Sequence, residues 1–118
     1  MKKIEAIIRP ERVIHVRNAL EKAGYPGMTI TEVEGHGHQK GKVQQWRGEK
    51  FKVDFIPKVK LEIITLDQDA ERLIKTIIES AATGNVGDGK IFVSEVSEVI
   101  RIRTRERGEK AVMRPSDS

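Results

Sequence analysis

Twice along this chain the spacing of apolar residues switches from every second position to every third or fourth and back again. That double switch limits the available folds more than any other feature. Residues 2–9, KKIEAIIR, are isoleucine-rich and partly alternating, which predicts a strand. In 10–24 Val13, Val16, Leu20 and Ala23 fall at helical steps, with Pro10 suited to a first turn and Gly24 to an end. MTITEVEG (28–35) alternates again as a strand. VKLEIITL (59–66) opens the second round, with Val59, Leu61 and Ile63 on one face. A helix is expected over 67–84, with Asp67 as N-cap, Leu73, Ile74, Ile77, Ile78 and Ala81 as its stripe, and Gly84 at its stop. KIFVSEV (90–96) is the fourth strand.

Two strand–helix–strand units of similar length predict an α+β fold, a ferredoxin-like double βαβ sandwich with two helices on one face of an antiparallel sheet. The chain of 118 residues suits one such domain. The other sheet face should then read polar. Instead Ile7 stands beside Ile8, Ile63 beside Ile64 and Phe92 beside Val93, so apolar residues point both ways. Cover by other subunits, a homo-oligomer, is the simplest remedy. Cysteine is absent, which excludes disulfides and thiolate metal sites. MKKIEAIIRPER is too short in apolar residues for a signal peptide or a membrane span, so a cytoplasmic protein is expected. A net charge of +4 favours anionic ligands without implying nucleic acid.

Two stretches are left over from the fold pattern. The first is TGNVGDGK (83–90), where a plain helix exit explains Gly84 but not Gly87, Asp88, Gly89 and Lys90. Glycines let successive amides face one concavity and a lysine adds charge, and both suit phosphate. The Walker spacing and its terminal Ser/Thr are missing. Arginines follow at 101, 103, 105 and 107. On an extended segment Arg101 and Arg103 would point the same way as adjacent forks for phosphate, the alternative being a solvated strand face. Together the two features favour a polyphosphate-like anion.

The second stretch is GHGHQKGKVQQWRGEKFKVDFIPK (35–58), a polar connection with four glycines, unusually long for a compact domain. His36 and His38 could chelate a metal, but no third ligand is evident and a polar loop explains them better. Trp46 and Phe51 suit partner anchors, or simply pack on the domain. No Ser-His-Asp or paired-carboxylate constellation can be argued, so the reading is non-enzymatic.

TGNVGDGKIFV with VIRIRT, IEAIIRPER, PGMT and GHGHQKG, in matching order over residues 1–108, resemble the PII family of nitrogen-regulatory signal proteins. The resemblance implies a compact homotrimer of ferredoxin-like subunits with ATP or ADP in each intersubunit cleft. It implies 2-oxoglutarate bound beside Mg-ATP, and a long T-loop, about residues 37–55, that meets an ammonium transporter or enzymes of nitrogen assimilation. Any association with membrane would be indirect, through a transporter, and no nucleic-acid partner is implied. Residues 82–90 match the B-loop, in which Gly87, Asp88, Gly89 and Lys90 would bind phosphates. Arg101 and Arg103, within the arginine segment 101–108, would hold phosphates from the neighbouring subunit. Ile7, Thr29, Gly35, Glu62 and Ile64 would surround the adenosine, with His38 nearby. Gln39 would bind the Mg ion shared by ATP and 2-oxoglutarate, while Lys58 and Gly87 would meet 2-oxoglutarate. Residues 109–118 read as a mobile tail.

The sequence departs from the family pattern in several places. His38 stands for an arginine, which removes a permanent charge near the nucleotide, and His36 for an aromatic. Arg105 replaces the glycine of a TGERG-like turn. Phe51 stands where many members carry the tyrosine that is uridylylated or adenylylated, and Glu49 where some carry a phosphorylated serine. Two other classes compete. A ferredoxin-like nucleic-acid-binding module would stack bases on sheet aromatics, for which Phe92 alone is suitably placed. A nucleotide-hydrolysing enzyme would require a base that the sequence does not place.

Overall fold

The computed structural model describes residues 1–35, 43–46, 49–52 and 56–113. Strand β1 (Lys2–Ile8) leads through a 3-10 turn at Pro10–Arg12 into α1 (Val13–Lys22), followed by β2 (Thr29–Gly35). Strands β3 (Val43–Trp46) and β4 (Glu49–Lys52) pair as a separate antiparallel ribbon. Next come β5 (Ile56–Thr65), α2 (Ala70–Ala81), β6 (Lys90–Glu95) and a single helical turn, α3 (Glu109–Val112). The main sheet has the order β2-β5-β1-β6, antiparallel throughout. This is the double βαβ sandwich that the alternating periods predict.

Both helices cover the same face of the sheet. Ile4, Ala6 and Ile8 from β1 meet Val59, Leu61 and Ile63 from β5, and Val16, Leu20, Leu73, Ile77 and Ala81 close the layer from above. Burial of each large aliphatic side chain contributes about 1.5–3 kcal/mol. The opposite face carries Lys3, Glu5, Ile7, Lys60, Glu62, Ile64 and Phe92. Lys3 pairs with Glu5 at 2.9 Å and Lys60 with Glu62 at 3.2 Å, so this face alternates ion pairs with apolar side chains.

Helix ends explain two differences from the sequence reading. Helix α1 closes as predicted near Gly24: the Tyr25 amide reaches the Leu20 carbonyl and the Gly24 amide the Glu21 carbonyl, with Gly24 at φ 92°. Helix α2, in contrast, is not capped by Asp67. A 3-10 turn at Asp67–Asp69 precedes it, and the Asp67 carboxylate meets the N-terminal ammonium at 2.9 Å instead. Asp69, at the N-cap position, is taken by the Tyr25 hydroxyl and by Arg72, so neither aspartate caps the helix. At the other end α2 stops at Ala81, three residues before Gly84. The Arg12 guanidinium satisfies the Ser80 carbonyl there, at 3.1 and 2.7 Å.

The arginine segment also differs from expectation. Arg101 and Arg103 do not lie on a strand, because the chain reverses there. The Arg101 amide reaches the Glu106 carbonyl and the Arg105 amide the Arg101 carbonyl, each at 2.9 Å, while Ile100 pairs with Arg107. Alternation of charged and apolar residues imitates a strand in sequence, but a reversal of this kind uses local backbone bonds instead. The expected tail from 109 begins as α3, and Arg101 donates to the carbonyls of Ala111 and Met113 at its end.

Candidate functional site

The turn between α2 and β6 is built around one carboxylate. Asp88 Oδ2 accepts the amides of Thr83 at 2.8 Å and Gly84 at 2.9 Å. Asp88 Oδ1 accepts the Thr83 hydroxyl and, at 3.1 Å, Arg9 Nε. These donors, Thr83 foremost, hold the carboxyl far below the usual carboxylate range. Arg9 also reaches the Val86 carbonyl with Nη2 at 2.8 Å, tying the turn to the end of β1.

Gly89 lies against that same strand end. A Cβ built there would stand 1.6 Å from the Ile7 carbonyl oxygen, and φ is 101°. No side chain fits, so glycine is a steric requirement here. Gly87, at φ 102°, sends its carbonyl to the Lys58 ammonium. Among the described residues no acceptor takes the amides of Gly87 or Gly89. Lys90 follows at once as the exposed first residue of β6, opposite Ile7. Two amides without an acceptor among the described residues, and a cation, at the end of one strand make an anion cradle whose charge suits a phosphate group.

Lys58 brings a second cation to the cradle. It is 8% exposed and carries the Gly87 contact just described. Burial, and then the neighbouring Arg9 charge, push its ammonium below the ordinary lysine range, with Glu11 and Asp88 opposing. A carboxylate arriving here would relieve the cost of the buried charge. Lys58 reaches the cradle from the start of β5, where it sits opposite Val33 of β2.

The remaining sequence-predicted residues divide between two ends of the sheet. Ile7, Lys58, Gly87, Asp88, Gly89 and Lys90 gather at the end where β1 finishes and β6 begins. Gly35 closes β2 opposite Ile56, a short step beyond Lys58 at that end. Glu62 pairs with Thr29 across the sheet, and Ile64 lies further toward the opposite end. There Arg101 lines a cavity of about 620 Å³ with Gly27, Ile64, Asp69 and Met113. Strand β6 separates Lys90 from Glu95 by five residue steps, about 17 Å at the usual rise. One chain therefore cannot bring Lys90 and Arg101 to the same phosphate. Arg103, exposed in the following turn, belongs to the same distant end.

His36, His38 and Gln39 lie outside the described residues, as does most of 37–55. No group of three or more His, Cys, Asp or Glu suited to a metal occurs among the described residues. No helix there is long and apolar enough to cross a membrane. Two residues of the site had no role assigned from sequence, Arg9 and Thr83. Both lie within quoted motifs, but their function is a contact with Asp88 made 79 and 5 residues away along the chain. Only Thr83, close in sequence, carried a local signal: a hydroxyl five positions before an aspartate in a glycine turn.

The family model described as "Nitrogen regulatory protein P-II" matches residues 1–106 of this chain. Similarity to individual proteins runs over 112 residues, 95% of the chain. Nitrogen regulatory protein P-II 2 of Methanothermobacter thermautotrophicus is 54% identical, with 97% of its length covered. Nitrogen regulatory protein P-II of Pasteurella multocida is 53% identical and P-II 1 of Escherichia coli strain K12 52%, each covered over its full length.

Proposed function

The chain belongs to the nitrogen regulatory protein P-II family, and we propose that it is a non-enzymatic, cytoplasmic sensor of ATP or ADP and of 2-oxoglutarate. The observation that carries this reading is the cradle of Gly87, Gly89 and Lys90, fastened to β1 at Ile7 and to Lys58. Its amides, without an acceptor among the described residues, and its cation suit nucleotide phosphates. Lys58, buried beside it, suits the distal carboxylate of 2-oxoglutarate. Gln39 would hold the Mg ion, which would supply positive charge to offset that of the bound anions.

Placement of Lys90 and Arg101 at opposite ends of β6 supports a nucleotide site shared between chains. In a closed ring each chain would offer its cradle to one neighbour and Arg101 and Arg103 to the other. A homotrimer would also cover Ile7, Ile64 and Phe92 on the open sheet face. Adenosine would then lie near Ile7, Thr29, Gly35, Glu62 and Ile64. Gln39 and Lys58 lie near the two ends of the loop 37–55, so ligand contacts with both would bias its shape and its grip on a target of nitrogen assimilation.

Calorimetry with ATP, with and without Mg and 2-oxoglutarate, tests this reading. We expect ATP to bind and 2-oxoglutarate to tighten it, with the reverse effect of equal size by linkage. Tight 2-oxoglutarate binding in EDTA without nucleotide would refute the shared-metal arrangement. Failure to bind ATP under any condition would refute the sensor.

A further inference from the structure

Asp88 stands inside the phosphate motif, yet it is an anion, and its acceptor positions are already used. An ionised carboxylate offers about four lone-pair sites. Here four donors fill them: Arg9 Nε, the Thr83 hydroxyl, and the amides of Thr83 and Gly84. That leaves Asp88 nothing to give a metal or a ligand donor, and its charge repels phosphate. Its contacts all run inward, to the end of α2 on one side and to β1 on the other.

Building on the phosphate reading above, we propose that Asp88 is an internal anchor of the cradle rather than a phosphate ligand, with Thr83 and Arg9 as the positioning residues that set it. Asp88 lies between Gly87 and Gly89, so fixing its side chain fixes the peptide planes on both sides. The plane after it carries the Gly89 amide, while the Gly87 amide shares the Val86–Gly87 plane with the Val86 carbonyl, and neither amide has a protein acceptor among the described residues. Arg9 adds a second tie through the Val86 carbonyl, at 2.8 Å. The Thr83 hydroxyl does double duty, since it donates to Asp88 and accepts the Asn85 amide at 3.2 Å. Without these ties the glycines would sample other conformations, and the amides would have to be ordered each time phosphate binds.

Thr83 is exposed, so its methyl group packs on little and its hydroxyl can be tested separately. The experiment measures ATP and adenosine binding by calorimetry for the parent, Thr83→Val, Thr83→Ser, Arg9→Met and Lys90→Ala, with thermal melting of each. Thr83→Val and Arg9→Met should each weaken ATP roughly five- to tenfold and leave adenosine unchanged. Thr83→Ser, which keeps the hydroxyl, should bind ATP like the parent. Equal ATP affinity in Thr83→Val and the parent would overturn the anchoring role. So would equal losses in Thr83→Ser and Thr83→Val, or a matching loss for adenosine. Parental ATP affinity in Lys90→Ala would instead overturn the phosphate reading on which this inference rests.

Discussion

The ammonium of Lys58 donates to the carbonyl of Gly87, so this buried residue of β5 and the glycine turn form one unit. This joins the two candidate ligand groups, one for carboxylate and one for phosphate, through a single hydrogen bond. Lys58→Met should abolish the response to 2-oxoglutarate while ATP alone loses at most about tenfold, the low end for one charge-assisted bond, because Lys58 touches the turn and not the phosphates. The pH dependence has a defined sign. Burial, then Arg9, lowers the Lys58 pKa in the folded chain, so the unfolded chain holds that proton more tightly. Stability of the parent relative to Lys58→Met should therefore rise as pH climbs through the lowered folded pKa toward the unfolded lysine value. Denaturant titrations at a series of alkaline pH values check this, and a constant difference would contradict it.

Gly89 and Gly27 should respond very differently to one added methyl group. At Gly89 the Cβ would collide with the Ile7 carbonyl, a backbone atom that cannot swing aside, and φ is left-handed. Gly89→Ala should cost about 3 kcal/mol or more and displace the turn from β1. At Gly27 nothing lies within 4 Å of an added methyl and φ is not left-handed, so Gly27→Ala should be neutral or mildly stabilising. Urea unfolding of both variants makes the comparison.

Arg105 has φ 64°, the one left-handed residue other than glycine among those described. Its backbone takes the conformation that a glycine would hold in this turn, and the arginine carries a strain of about 1–2 kcal/mol for it. Glycine relieves that strain but adds about 0.5–1 kcal/mol of unfolded-chain entropy. Arg105→Gly should thus stabilise by up to about 1.5 kcal/mol, and the β-branched Arg105→Val should destabilise. Thermal or urea unfolding of the two variants checks both signs. A stability loss in Arg105→Gly would show that the side chain makes a compensating contact.

What the sequence reveals depends on the range of each interaction. The stripe residues Val16, Leu20, Leu73, Ile77 and Ala81, and the face Val59–Leu61–Ile63, are written in local periodicity and are buried as expected, with Val13, Ala23 and Ile74 partly buried beside them, whereas Ile78 of the expected stripe is exposed. Gly24 signals its helix end for the same local reason. The Asp67 cap fails because Met1 and Tyr25, remote in sequence, compete for the two aspartates. The extended reading of Arg101 and Arg103 fails because alternation does not distinguish a strand from a reversal closed by Ile100 and Arg107. Within the site, the cradle could be suspected from its glycines, whereas the Arg9–Asp88 tie spans 79 residues and leaves no local pattern.

Covalent control of the loop is limited by its composition. Uridylylation or adenylylation at the family position attaches through a phenolic oxygen, and Phe51 has none. Glu49 offers no hydroxyl either, and no Ser, Thr or Tyr occurs between Gly35 and Lys58. The loop should therefore report small-molecule binding alone, with Trp46, the sole tryptophan, as its fluorescent reporter. Intact-mass analysis of protein from nitrogen-rich and nitrogen-starved native cells checks this. A stoichiometric nucleotidyl or phosphoryl adduct mapped to 37–55 would contradict it.

In the proposed shared-site arrangement, one chain's Lys90 and another chain's Arg103 would hold the same ATP. Each of Lys90→Ala and Arg103→Ala should weaken ATP about ten- to a hundredfold, since each removes a charge-assisted contact of about 1.5–3 kcal/mol. The decisive measurement is ATP binding by mixed oligomers, assembled from the two variants and purified by differential tags. In a ring of three, any mixed oligomer contains one junction where an intact Lys90 faces an intact Arg103, so about one site in three should regain parental affinity. Mixed oligomers that bind no better than either variant alone would contradict a site shared between chains.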